Sequence, residues 1–165
     1  MASSERLCGD MYALGSNSHG QLGIGHNDDV ATPTLCKLID DRVSFEDGGP
    51  PAQVAAGGNH TILLTLAGMA WATGWNCYGQ CALAADIPET STFRRITLHN
   101  HRESHAHDRF SHIAATWSAS FFVARDQPST IYSCGMGDHG ELGKEIMCQT
   151  ADNQSVFICQ TLLGR

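Results

Sequence analysis

Residues Gly135-Met136-Gly137-Asp138-His139-Gly140 form a literal Gly-x-Gly-x-x-Gly behind an apolar run, the pattern with which a strand-to-helix turn wraps a dinucleotide pyrophosphate. Segments 15–20 and 74–79 repeat the outer glycines without the middle one. Only 25 residues follow Gly140, with no amphipathic helix among them, too few to finish a βαβ unit. No Gly-Lys-Ser/Thr is present for a phosphate loop. The three glycine pairs, Gly15/Gly20, Gly74/Gly79 and Gly135/Gly140, are therefore read as structural turns. The first of each pair ends a strand and the second permits a positive φ. No cofactor is expected.

A second chemical candidate is HNHRESHAHDRFSH, residues 99–112, which holds five of the nine histidines. Imidazoles at these spacings can bind zinc, nickel or copper, but the stretch is polar and falls between strand-like runs, so it reads as a solvated loop over 95–112. Cys77-x-x-x-Cys81 lacks the spacing and the second pair of a zinc knuckle. His60 has no Gly-x-Ser-x-Gly partner and no evident acid, and reads as a buried histidine bonded to backbone. No catalytic residue and no resident metal are assigned. His19, Tyr78 and His139 are different, because each precedes the second turn glycine of its copy. They are the candidate partner-binding residues, with packing of the turn itself as the alternative.

The bulk properties narrow the class. At 165 residues, 42% hydrophobic and 16% charged, the chain suits one globular repeat domain, 1–165. No run reaches the roughly 18–20 apolar residues of a membrane span. A formal charge of −7 disfavours direct nucleic-acid binding. The seven cysteines are odd in number and irregularly spaced, with no export signal, which points to free thiols in the cytoplasm, with the nucleus as a second compartment.

The elements that must position these residues repeat. Gly15, Gly74 and Gly135 are offset by 59 and 61, as are Gly20, Gly79 and Gly140. Upstream, VAAGGNHTILL (54–64) and IAATWSASFFV (113–123) are again 59 apart. Thr61–Leu66 and Ala70–Thr73 flank the turn Ala67-Gly68 as a β-hairpin, and Ser120–Ala124 with Ile131–Cys134 form another. One more strand-like run lies at Val156–Leu162. The units fall near 11–66, 67–124 and 125–165, and short sheets repeated at this period suggest propeller blades.

YALGSNSHGQLG, followed by VAAGGNHTILLTLAGMAWATGWNCYGQ, resembles the repeat of the regulator of chromosome condensation family over about residues 11–143. The second copy departs at Cys81 and Ala82, where Leu and Gly are expected, and the third at Gly137, where Asn is expected. The degenerate later copies are similar to the fungal alpha-tubulin suppressor branch. The resemblance implies an all-β fold, a partial β-propeller of about three blades forming the N-terminal half of a seven-bladed ring. Three blades cannot close a ring that needs about four to eight. An open stack with covered edges is the other architecture.

For function, the resemblance implies a non-catalytic interaction scaffold with a protein partner and no membrane. In the suppressor branch that partner is a small zinc-binding protein serving tRNA wobble-uridine modification and diphthamide synthesis. The alternative is guanine-nucleotide exchange on a small GTPase. A metal-dependent enzyme using His99, His101 and His105 is the second alternative.

Overall fold

The computed structural model describes residues 11–38, 49–97, 109–142 and 158–161. Ten strands and no helix occur among them: β1 (Tyr12–Gly15), β2 (Val30–Leu35), β3 (Pro51–Ala56), β4 (His60–Thr65), β5 (Ala70–Trp75), β6 (Glu89–Arg95), β7 (Phe110–Ala115), β8 (Ala119–Ala124), β9 (Thr130–Gly135) and β10 (Ile158–Thr161). They form three antiparallel sheets, β1-β2, β3-β4-β5-β6 and β7-β8-β9-β10.

The sheets are cut out of phase with the repeat units. The second sheet runs from Pro51 to Arg95, across the unit boundary at 66/67. The sheets divide after Leu35 and after Arg95, and connection length does not set these divisions, since the longest connection, from Gly135 to Ile158, joins strands that pair. The segment 95–112 gives up both its ends to strands: Arg95 closes β6, and Phe110 through His112 open β7. Phe110 is drawn into the strand because its ring is buried against Phe122, with centroids 5.3 Å apart. His112 consequently sits exposed on β7 rather than in a loop. His99, His101, His105 and His107 lie outside the described residues.

Core packing follows from β4. HTILLT shows no polar-apolar alternation, so it must be buried on both faces. Ile62 and Leu64 join Phe110, Ile113 and Phe122 between the second and third sheets. Leu63, with Trp71 and Phe93, joins Ile24 and Cys36 of the first unit on the other side. The middle sheet is thus clamped by both neighbours. Tyr12 occupies the place of buried Trp71, yet it is more than half exposed, and so is Leu14. Among the described residues, nothing covers that face of the first sheet.

One end of every sheet, its turn end, carries the repeated geometry of the motif. β1, β5 and β9 finish there, while β2, β4, β6 and β8 begin there, as the pairs Gly15↔Val30, His60↔Gly74, Trp75↔Glu89 and Ala119↔Gly135 show. All six turn glycines have positive φ, from +71° to +117°. The first glycine of each pair therefore does more than end its strand. It turns the chain into the left-handed region, as the second does.

Candidate protein-binding face

In the first two copies one buried asparagine side chain ties the turn-end loop together. Asn17 is fully buried. Its Oδ1 accepts the Leu22 N–H at 2.9 Å, and its Nδ2 donates to the carbonyls of His26 and Asp28 at 2.6 and 3.2 Å. Asn76 repeats this, accepting from the Cys81 N–H at 3.0 Å and donating to the Ile87 carbonyl at 2.7 Å. In the third copy the asparagine is Gly137, and the Leu142 side chain fills the space: a Cβ on Gly137 would lie 2.7 Å from Leu142 Cγ. The departures at Cys81 and Ala82 are also accommodated. Cys81 is buried and its thiol donates to the Trp75 carbonyl at 3.2 Å, while Ala82 keeps the left-handed conformation of its counterpart Gly23, with φ of 54° against 67°.

A second device fixes the residue before each second glycine. The side chains of Gln21, Gln80 and Glu141 accept the backbone N–H of His19, Tyr78 and His139 at 2.9, 3.0 and 2.9 Å. The backbone N–H groups of Glu141 itself and of His139 hold the Glu141 carboxyl below its ordinary pKa.

Successive copies are bracketed together by hydroxyls. Thr61 Oγ1 donates to the Gln21 carbonyl at 2.8 Å, and Ser120 Oγ donates to the Gln80 carbonyl at 2.7 Å. His60 completes the second bracket, with Nε2 at 2.8 Å from Ser120 Oγ. Since the Ser120 proton goes to the Gln80 carbonyl, His60 must be protonated on Nε2 and donate to Ser120. Its Nδ1 is buried with no partner, and burial lowers its pKa to about 4. The sequence placed His60 inside a blade bonded to backbone. It is instead a joint between two sheets, bonded to a side chain 60 residues away. Ser120 spends its proton on backbone, and no carboxylate meets Nδ1, so the pair is not arranged as nucleophile and base.

The structure brings His19 and Tyr78 together around a residue that sequence reasoning passed over. Trp75, the first residue beyond Gly74, stacks on His19 at 5.4 Å and meets Tyr78 edge-on at 5.1 Å. His19 Nδ1 lies 3.0 Å from Glu89 Oε2, while Asn27 Nδ2 donates to Oε1 at 2.6 Å. His19 thus reaches across the seam onto the second sheet. Tyr78 is 46% exposed. Trp117, in the β7–β8 turn at the same end, is 76% exposed, and its ring rests on Gly58, where a Cβ would lie 2.7 Å from it. Gly58 also donates its N–H to the Trp117 carbonyl at 2.9 Å. His139 stands at the turn end of the third sheet, its Nδ1 3.4 Å from Glu141 Oε1.

No group of three or more His, Cys, Asp or Glu able to hold a metal occurs among the described residues. Cys36, Cys77, Cys81 and Cys134 are free thiols, and burial pushes Cys134 up to about 12. The Gly-x-Gly-x-x-Gly of 135–140 is followed by β10, which returns antiparallel to β9. A dinucleotide fold would need a parallel return.

Comparison with known proteins decides the family. The regulator of chromosome condensation (RCC1) repeat matches residues 9–64, and a second model of the same repeat matches 52–80. The chain belongs to the RCC1 repeat family. The RCC1 repeat-containing protein C10F6.04 of Schizosaccharomyces pombe is 31% identical over 134 residues, covering 81% of this chain and 35% of that protein. The mouse secretion-regulating guanine nucleotide exchange factor is 40% identical over 72 residues, 44% of this chain and 14% of that one. A chain in the solved structure of Kap60 bound to yeast RCC1 (Prp20) superposes with a TM-score of 0.61 at 20% identity, covering 87% of this chain and 32% of that one. The chain therefore spans about a third or less of the length of these relatives. In RCC1 terms the three sheets are propeller blades, the middle and third four-stranded and the first represented by two strands.

Proposed function

We propose that this chain is a non-catalytic, RCC1-type interaction scaffold that holds a protein partner against the turn end of its blades. The observation that carries the reading is the His19–Trp75–Tyr78 stack. Hydrogen-bonded loops deliver aromatic side chains to the seam between two blades and leave Tyr78 and, at the same end of the blades, Trp117 open to solvent. Aromatic anchors on a rigid scaffold are what binding surfaces use.

Two identities of the partner are proposed, one from kinship and one from the sequence resemblance. The 72-residue similarity to a guanine nucleotide exchange factor favours a small GTPase. The likeness to the alpha-tubulin suppressor branch favours a small zinc-binding protein and a role in tRNA wobble-uridine modification and diphthamide synthesis. Exchange requires differential affinity for two states of the GTPase, whereas a scaffold needs only affinity. The test is release of fluorescent GDP from loaded small GTPases, run beside equilibrium binding of the same GTPases and of the zinc protein. The scaffold reading predicts that a partner binds, that Tyr78→Ala weakens it roughly tenfold or more, and that the rate of GDP release is unchanged. Faster release points to exchange. Binding untouched by Tyr78→Ala contradicts the face.

A further inference from the structure

Charge is divided between the two ends of the blades. Among the described residues, Asp28, Asp29, Asp86, Glu89, Asp138 and Glu141 stand in the turn-end loops or at the strand beginning there, and only Asp126 lies at the opposite end. Arg95, Arg109 and Arg125 lie at that opposite end, whereas Arg94, paired with Ala72 in mid-strand, donates from Nε to Thr90 Oγ1 at 3.3 Å, and Lys37 lies against Gly25 of the first turn-end loop. Arg109 and Arg125 are further tied down, donating to the carbonyls of Ala67 and Leu66. The turn end therefore carries six of the seven described acidic side chains against the reach of Lys37 and Arg94 alone, and the aromatic side chains open at the same end.

We propose that the turn end docks an arginine-bearing segment of its protein partner. The inference rests on the reading of this end as the binding face and adds the chemistry of what binds there. Part of the acid is already used inside the loops: Asp29 accepts the Asn17 N–H, and both oxygens of Glu89 are taken by His19 and Asn27. Asp86 and Asp138 are exposed, and nothing among the described residues binds their carboxylates. These two are left for a partner. Unneutralised carboxylates attract and orient any basic segment. The aromatic groups then discriminate, because a guanidinium is weakly hydrated and stacks on an aromatic face, while an ammonium is a strongly hydrated point charge. Trp117 is 76% exposed and projects from a turn anchored to Gly58. The combination suits arginine better than lysine, and excludes an acidic segment.

The test titrates the full chain into fluorescein-labelled peptides in which glycine alternates with arginine, with lysine or with glutamate, at about 50 and about 300 mM NaCl. The arginine peptide is expected to bind roughly threefold or more tighter than the lysine peptide, both weakening at the higher salt, with no binding of the glutamate peptide. Asp86→Asn with Asp138→Asn should weaken both basic peptides about threefold or more. Trp117→Ala should remove the preference for arginine and leave lysine binding in place, and Asp126→Asn should change neither. Equal binding of all three peptides overturns the proposal, as does a loss with Asp126→Asn that matches the double variant. So does a salt-sensitive doubling of the chain's own mass in sedimentation, abolished by the double variant, since the occupant would then be the basic end of a second copy. If the peptides fail while Tyr78→Ala still costs a GTPase or zinc-protein partner, the arginine inference falls and the binding face stands. If Tyr78→Ala costs no partner, the face itself falls.

Discussion

Gly74→Ala is expected to destabilise the fold by about 3 kcal/mol or more, while Gly79→Ala in the same turn costs only about 1–2 kcal/mol. Both glycines have positive φ, +107° and +75°, so both variants carry the strain of a side chain in that region. They differ in their surroundings. A Cβ on Gly74 would stand 2.4 Å from the Asn59 carbonyl oxygen and 2.7 Å from His60 Cα, whereas one on Gly79 meets nothing within 4 Å. The obstruction at Gly74 is backbone of the paired strand, which cannot rotate away. Relief would have to open the His60↔Gly74 pair and with it the hydrogen bond from the Trp75 N–H to the Asn59 carbonyl. Urea unfolding of the two variants, read as a midpoint shift at constant slope, separates strain from obstruction. Equal losses would mean that close packing of the turn against β4 contributes nothing.

The second large effect is a pH dependence centred on His60. Burial lowers its pKa from 6.5 to about 4, because a charge at Nδ1 would be sealed against Gly57 with no partner. The unfolded chain takes up this proton near pH 6.5, and the folded chain only near pH 4. Stability is therefore unaffected by His60 above the unfolded value and falls as the pH drops from about 6.5 to about 4. At about 1.4 kcal/mol per unit, the loss is about 3 kcal/mol. His60→Gln can still donate to Ser120 but does not titrate. The difference in unfolding free energy between the two proteins should be flat above pH 6.5 and move by about 3 kcal/mol in favour of the variant by pH 4. Carboxylates titrating in the same range affect both proteins and cancel. Parallel curves would show that His60 is solvated in the folded state.

The parts legible in the sequence were those fixed by local rules. The hairpins at 60–75 and 119–135, the turn glycines and a last strand inside Val156–Leu162 each follow from short apolar runs punctuated by Gly. The RCC1 family followed from motifs of the same length. What escaped depends on residues distant in the chain. The Thr61 and Ser120 brackets reach back 40 residues to the carbonyls of Gln21 and Gln80, and nothing in the local pattern at either end reveals a partner. A signal was present all the same, since Thr61 and Ser120 share the offset of 59 that separates Gln21 from Gln80. Trp75 was missed for another reason. Its counterparts beyond Gly15 and Gly135 are Ser16 and Met136, so a search for recurrence discards the residue on which the aromatic cluster turns. Glu89, which begins β6, lies outside every motif and is brought to His19 only by the packing of one blade on the next.

The most direct test of the turn end as the binding face is photocrosslinking in the native cells, with benzoylphenylalanine placed at Tyr78 in one chain and at Arg95, at the opposite end, in another. The account predicts a discrete protein adduct from position 78 that is lost when Trp117→Ala and Trp75→Ala are added, with no adduct from position 95. An adduct from position 95 and none from position 78 would contradict it, and would place the partner at the basic end.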